Sequence, residues 1–194
     1  GTMGVTAPTN SPGSRAECKS GWVDGDHNLW LFGGQDGATS TTAPLNVRND
    51  LWKYHILTDE WTWMKGPKIG NNNGNYGVMG VAAPTNLPGS RLYNDFWRDN
   101  HQTFWLFGGE GYSNVNTISW LGDLWKYSPT TNQWTWIRGS NGPNPAPVYG
   151  TQGVPSSSNE PGAREFPISW TDNSGNFWMF GGTNNTSTNR YGDM

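Results

Sequence analysis

The sequence predicts an all-β protein, and three observations support that class. First, the composition favours strands and turns: 14% of the 194 residues are aromatic, 27 are Gly, and helix formers such as Ala, Glu, Lys and Leu do not dominate. Second, Trp134 and Trp136 are two positions apart, so they would share one face of a strand while Thr135 points to the other. Third, the same motifs recur in phase along the chain, as they do in repeat architectures.

Three motifs recur in a fixed order. The first motif begins at Ser11 (SPGSR), Leu87 (LPGSR) and Glu160 (EPGAR). The second begins at Leu29 (LWLFGG), Phe104 (FWLFGG) and Phe177 (FWMFGG). The third begins at Asn49 (NDLWKY), Gly122 (GDLWKY) and, in shortened form, Gly192 (GDM). The spacing is 76 residues from Arg15 to Arg91 and 73 from Arg91 to Arg164. The difference falls in two turns, where repeated strand units tolerate insertions.

The tryptophans follow the same register. Of the 13 Trp, all but Trp120 fall in five aligned columns: Trp22, Trp97 and Trp170; Trp30, Trp105 and Trp178; Trp52 and Trp125; Trp61 and Trp134; Trp63 and Trp136. A buried Trp removes about 150–250 Å² from water, so these rings predict a core between stacked units. Sugar-stacking platforms are the alternative interpretation.

Each unit is predicted to contain four strands, justified in order from the second copy. The first strand follows the Pro-Gly turn and its Arg, near 92–99. The second is the aromatic run that ends in Gly-Gly, the third is DLWKYSP from Asp123, and the fourth is WTWIRG from Trp134. Short polar turns join the first strand to the second and the third to the fourth.

The repeats divide the chain into three predicted units: unit 1 is 1–80, unit 2 is 81–153 and unit 3 is 154–194. Units 1 and 2 carry all three motifs in order, followed by the fourth-strand run WTWMKG from Trp61 or WTWIRG from Trp134. Unit 3 ends within its third motif, so we expect two complete sheets and part of a third, belonging to a larger propeller or assembly.

This pattern resembles the kelch repeat. The resemblance covers nearly the whole chain, and it rests on the Arg before the first strand, the aromatic-Phe-Gly-Gly second strand, Trp-Lys-Tyr in the third and the Trp that opens the fourth. It implies a β-propeller in which each repeat is one four-stranded blade. The repeat here is longer than the common kelch unit of about 50 residues, and the surplus lies in loops.

Two kinds of long loop are expected on one side of the molecule. They are 67–90 and 140–163 between units, and 35–49 and 110–122 between the second and third strands. Antiparallel connections alternate ends, so both kinds would leave from the same face. Because loops on a rigid scaffold often carry function, Tyr112 and Trp120 are candidate interaction residues.

No catalytic, metal or cofactor site is predicted. The kelch scaffold also occurs in galactose oxidase, and that resemblance implies a copper site with a Tyr–Cys cross-link, but no motif for its ligands is visible here. His27, His55 and His101 are interpreted as solvated turn residues, and Cys18 as a small residue packed in a first strand.

Two recurring polar features have structural interpretations. Arg15, Arg91 and Arg164 occur once per unit, which favours scaffolding, with each guanidinium tying carbonyls or a carboxylate between blades. The stretch Asp24–Asn28 resembles the start of a calcium loop but lacks its later ligands, so an Asx turn is preferred.

Asn184 and Asn185 begin overlapping glycosylation sequons.

The composition also restricts partners. A net charge of −3 with 12 unclustered basic residues argues against nucleic acid, and no apolar run is long enough to span a membrane. We expect a non-enzymatic extracellular or cell-surface protein that binds other chains or further repeats of its own kind, including as a subunit of a larger filament. Glycans are further candidate ligands. The alternatives are a carbohydrate-binding module and a non-catalytic part of a galactose-oxidase-like enzyme.

Overall fold

The computed structural model describes residues 1–36, 46–185 and 189–194. For Asn185 and Asn189 it describes the backbone alone. These residues form antiparallel sheets, and no helix occurs among them. The all-β prediction is therefore confirmed. Within the same part of the chain, no helix is long and apolar enough to cross a membrane.

Outside residues 37–45, which are not described, unit 1 contains eight strands: β1 (Thr6–Ala7), β2 (Arg15–Ala16), β3 (Gly21–Val23), β4 (Leu29–Phe32), β5 (Gln35–Asp36), β6 (Asn46–Val47), β7 (Leu51–His55) and β8 (Glu60–Lys65). The main sheet has the order β1-β8-β7-β4-β3. Strands β2, β5 and β6 form a small separate sheet. Strand β1, near the start of the chain, pairs with β8, and Ala7 lies opposite Trp61.

Unit 2 has five strands, of which β11 and β12 are the long ones: β9 (Arg91–Leu92), β10 (Asp95–Arg98), β11 (Phe104–Tyr112), β12 (Ile118–Ser128) and β13 (Gln133–Arg138). Their order is β10-β11-β12-β13, and β9 pairs with the far end of β11. The hairpin β11–β12 thus runs through the region that forms two separate sheets in unit 1. Unit 3 contains β14 (Ile168–Thr171), β15 (Phe177–Phe180), β16 (Thr183–Asn185) and β17 (Asn189–Arg190), paired as β14–β15 and β16–β17.

A glycine pair bends the second strand of each unit. Gly108 and Gly109 have φ angles of 61° and 93°, and the β11–β12 register shifts between Phe107 and Gly109. A Cβ on Gly109 would lie 2.4 Å from the carbonyl oxygen of Leu92. Because glycine alone combines positive φ with this close backbone approach, the Phe-Gly-Gly motif ends the straight part of the strand.

The core lies between the sheets of units 1 and 2. Its buried members are aromatic and aliphatic residues from both units: Trp22, Trp30, Phe32, Leu51, Tyr76, Phe104, Leu106, Trp125, Tyr127 and Trp134. Ring contacts cross the interface, for example between Phe32 and Trp134 at 5.2 Å. The two sheets are therefore held together by interdigitating rings.

The tryptophan columns differ in burial along the chain. Trp22, Trp30, Trp52, Trp63, Trp97, Trp125 and Trp134 are buried, and Trp61, Trp105 and Trp136 are half-buried. The expectation of burial is wrong for Trp170 and Trp178, which are 41% and 37% exposed. The physical reason is that no described residue packs over the outer side of β14–β15, whereas a whole sheet covers the matching side of unit 1.

The loop assignment for Tyr112 and Trp120 is also wrong. Both residues lie in the extended hairpin, Tyr112 at the end of β11 and Trp120 in β12. Tyr112 is buried against Val47 and Leu92, so it is part of a second small core. The hairpin continues because backbone pairing resumes after the glycine bulge. Tyr112 is therefore not available as an interaction residue, and Trp120 is half-buried.

Candidate interaction surface

Each repeat arginine binds an aspartate of its own unit. The Arg91 guanidinium donates to both carboxylate oxygens of Asp123 at 2.7 and 2.8 Å, and both side chains are fully buried. The same pairing joins Arg15 to Asp50 and Arg164 to Asp193. We expected each guanidinium to link two blades, and that prediction is wrong. Each guanidinium is bound by the aspartate of the third motif in its own unit.

The link between neighbouring units is made instead by the arginine backbone. The carbonyl of Arg91 accepts a hydrogen bond from the Gly34 amide, and that of Arg164 accepts one from Gly109. Arg91 and Arg164 therefore each hold their own unit with the side chain and the preceding unit with the carbonyl. The side-chain contact recurs in all three units, which accounts for one arginine per unit.

The acidic turns are Asx turns in all three units. The Asp24 carboxylate accepts hydrogen bonds from the amides of Asp26 and Asn28 and from the indole N–H of Trp30. Asp99 does the same for Trp105, and Asp172 for Trp178. These donors occupy the oxygens that a calcium ion would need, so the turn orients a tryptophan.

The remaining reactive side chains are dispersed. His27 and His101 are exposed, whereas His55 lies in β7, where its Nε2 is 2.9 Å from the Thr62 hydroxyl, so its interpretation as a turn residue is wrong. Cys18 lies between β2 and β3, not in a strand, and its thiol donates to the Phe32 carbonyl. Within the described residues, no group of three or more His, Cys, Asp or Glu side chains could hold a metal ion.

The carboxylates of Glu17, Glu110 and Glu165 influence one another electrostatically. Burial is the largest cause of the raised pKa of Glu110, and the negative charges of Glu165 and Glu17 raise it further. Glu165 is almost fully buried, and its pKa is also raised, first by burial. The Trp120 indole N–H approaches this carboxylate and lowers its pKa, although outside ordinary hydrogen-bond geometry. Both Glu165 carboxylate oxygens are buried and have no hydrogen-bond partner within ordinary geometry among the described residues.

An aromatic surface is uncovered at the end of unit 3. The rings of Trp170 and Trp178 stack with centroids 6.2 Å apart and an interplanar angle of 7°. Phe180, on the same strand as Trp178, is 46% exposed. The Asp172 carboxylate fixes the Trp178 indole by a 2.8 Å hydrogen bond. These three rings, the open tryptophan face, form a rigid apolar patch of the kind that marks interaction sites.

A groove adjoins the open tryptophan face. It has a volume of about 1040 Å³, and Tyr149, Val154, Arg164 and Met194 contribute to its lining with Trp178. The loop on its far side is already folded: the Asn159 amide donates to the Val154 carbonyl, as Asn86 donates to Val81 in unit 2.

The two preceding units have a strand where this groove is open. In unit 2, Asn86 also donates to the Trp134 carbonyl of β13, and in unit 1 Asn10 donates to the Trp61 carbonyl of β8. No strand carbonyl takes that place beside Asn159 within the described residues. The groove thus lies at the position that corresponds to β8 in unit 1 and β13 in unit 2.

The sequons lie beside this region. Asn184 is in β16 and half-buried. The side chain of Asn185 and residues 186–188 lie outside the described residues. Glycosylation at either asparagine stays a prediction.

Some of these residues carried a sequence signal that was not used. Asp50, Asp123 and Asp193 directly follow the Asn or Gly of the third motif, and their recurrence in phase with the arginines could have identified them as partners. Asn10 and Asn86 end the repeated APTN and could have been recognised likewise.

Comparisons with known proteins concern the fold alone. No family model matches the chain, and no curated protein matches it. Among solved structures, the one described as "Structure of YjhT" matches with a TM-score of 0.53 and 15% sequence identity. The match covers 91% of this chain and 47% of that one, so this chain spans about half the length of its structural neighbour.

Proposed function

We propose that this chain consists of kelch-type β-propeller blades, two complete and one partial, and that it acts outside the cell or at the cell surface by binding other protein chains. It works as a non-catalytic scaffold for assembly. The observation that carries the proposal is the open tryptophan face, where Trp170, Trp178 and Phe180 remain exposed beside a large groove.

Rigidity supports a role in binding. The exposed rings stand on a short hairpin whose turn holds Trp178 in place, and Arg164 anchors the neighbouring backbone through Asp193 and the Gly181 carbonyl. A preorganised aromatic patch loses little conformational entropy when a partner covers it. The Trp-rich, loop-heavy composition with few lysines favours an exterior protein.

Site-specific photo-crosslinking tests the proposal. A benzophenone amino acid replaces Trp178 in the protein expressed in its source cells, and cross-linked partners are identified by mass spectrometry. The matched control carries the same group at Leu57, which is 96% exposed in a turn far from the face. We expect discrete protein adducts at position 178 that are absent at 57. Equal labelling at both positions, or none at 178, would contradict the proposal.

Carbohydrate binding is a second candidate, because one observation favours it. Two parallel exposed indoles, Trp170 and Trp178, can stack on the apolar faces of sugar rings. A glycan array distinguishes the candidates. Selective binding that is lost in Trp178→Ala, without protein adducts in the cross-linking experiment, would favour the carbohydrate.

A further inference from the structure

The tryptophan-bearing sheet of each unit has two different faces. The tryptophan face carries the column pair Trp22 and Trp30 in unit 1, and its equivalents in units 2 and 3. The opposite face carries the residues that alternate with them, Leu29 and Leu31 in unit 1. We call the latter the receiving face; in unit 2 it begins with Phe104 and in unit 3 with Phe177.

The first internal interface joins a tryptophan face to a receiving face. Phe104 of unit 2 lies between Trp22, with ring centroids 5.1 Å apart, and Trp30, at 5.2 Å. The Trp22 indole N–H crosses the interface and donates to the Trp97 carbonyl at 2.9 Å. One phenyl ring therefore lies between two indoles, and an indole-to-carbonyl hydrogen bond crosses the interface beside it.

The second interface repeats this arrangement. Phe177 of unit 3 lies 5.5 Å from both Trp97 and Trp105, and the Trp97 indole donates to the Trp170 carbonyl at 3.2 Å. In unit 3, the rings and the indole hydrogen bond of this interface come from β14 and β15. Arg164 and Phe166 add backbone contacts to Gly109 and Tyr93 of unit 2.

The chain consequently presents one unpaired face of each kind. At one end, Trp170 and Trp178 of unit 3 are exposed. At the other end, the receiving face of unit 1 is open: Leu29 is 42% exposed, Val23 is 44% exposed and Leu31 is half-buried. Inside the chain, these same two kinds of face are always joined to each other.

We infer that a second copy of this chain covers the open tryptophan face, in a head-to-tail contact that continues the two internal interfaces. Leu29 of one copy seats between Trp170 and Trp178 of the next, and the Trp170 indole N–H donates to the Trp22 carbonyl. This inference rests on the proposed assembly function and names its partner. A contact between two unlike faces is heterologous, so it closes into a ring or extends into a filament.

Pairing of two tryptophan faces fits less well. It would place indoles against indoles, whereas each internal interface places a smaller ring between them. It would also depart from the Trp-to-carbonyl hydrogen bond that occurs at both internal interfaces.

Sedimentation velocity of the whole chain over a range of concentrations tests the inference. Leu29→Arg blocks the receiving end and Trp178→Arg blocks the tryptophan end, so each variant alone should remain monomeric. A 1:1 mixture should form a dimer and nothing larger, because it retains one intact end of each kind. The wild-type chain should form larger species or a closed ring. Leu57→Arg is the matched control and should assemble like the wild type.

A milder variant tests the register. Trp170→Phe keeps an aromatic ring, although a smaller one, and removes the indole N–H, so association should weaken by at least roughly 2- to 10-fold, the range of one ordinary hydrogen bond. Circular dichroism checks that each variant stays folded.

Three results would overturn the inference. They are a monomeric wild-type chain, a Leu29→Arg variant that still dimerises through tryptophan faces, or a mixture that stays monomeric. If the chain is monomeric while position 178 cross-links to a different protein, the self-assembly inference fails and the proposed binding function stands. If it is monomeric and position 178 cross-links to nothing, both fail.

Discussion

Arg91 and Asp123 form a bidentate ion pair in which neither side chain is exposed to solvent. The pair is fully hydrogen-bonded: the guanidinium also donates to the carbonyls of Gly89 and Gly108, and the carboxylate accepts from Trp125 and Tyr76. Buried charges are tolerated only when such partners replace water. The pair joins the segment of Arg91 to the strand β12 that carries Asp123, and so ties two parts of the unit 2 sheet together.

Removal of one partner should be strongly destabilising. We expect Asp123→Ala to lower the free energy of unfolding by about 3–5 kcal/mol, because it leaves the Arg91 charge buried and unpaired. Urea titration followed by far-UV circular dichroism measures the change. The control is Glu160→Ala, which removes the partly exposed pair with Arg138 and should cost no more than about 1 kcal/mol. Equal costs for the two variants would contradict the prediction.

The same pair should govern stability in acid. Burial alone raises the pKa of Asp123, but the charge and hydrogen bonds of Arg91 outweigh it, and the pKa lies below its ordinary value. A lowered native pKa means that the unfolded state binds protons first as the pH falls. This contribution is therefore complete at neutral pH, declines below about pH 4 and is lost as the pH falls through the native pKa.

Urea titrations from about pH 7 to about pH 2 check this dependence. Asp123→Asn should be less stable than wild type at neutral pH, and the difference should shrink in acid. A constant difference across that range would show that Asp123 titrates alike in the folded and unfolded states.

Gly139 should tolerate alanine poorly for two separable reasons. Its φ is 81°, and a Cβ there would lie 2.0 Å from the Gly122 carbonyl oxygen. Gly153 is the matched control, because its φ is 77° but no atom lies within 4 Å of a Cβ. Gly153→Ala should cost about 1–2 kcal/mol from the backbone conformation alone. Gly139→Ala should cost more, by about 1–3 kcal/mol. Thermal melts compare the two, and similar losses would refute the steric contribution.

The single cysteine should react slowly. Burial is the main cause that raises the pKa of Cys18, to about 11. Because the thiolate is the nucleophile, iodoacetamide at about pH 8 should alkylate the folded chain on the order of 100-fold more slowly than the unfolded chain. The rate should rise about tenfold per pH unit toward pH 11. Mass spectrometry follows the reaction, and a rate that levels off near pH 9 would contradict the raised pKa.

The sequence by itself determined the repeat, its register and most strands. The Trp positions alternate because a strand places every second side chain on one face, so Trp134 and Trp136 could be assigned to one strand from spacing alone. The Gly-Gly pair marked the bend of the second strand for a similarly local reason: only glycine adopts those φ angles without strain. Both assignments depend only on residues that are close together in the sequence.

Only the tertiary structure decided which copies of a repeated residue are buried and what each one contacts. Trp22 and Trp170 have equivalent sequence positions, yet one is buried and the other is 41% exposed, because burial depends on the neighbouring sheet. Likewise, Arg91 could pair within its unit or between units, and the packed distance to Asp123 settles the choice. Hairpin continuation beyond Gly109 also buried Tyr112, which sequence reasoning had placed in a loop. Contacts between residues that are far apart in the sequence depend on how the sheets pack, so the local sequence pattern does not predict them.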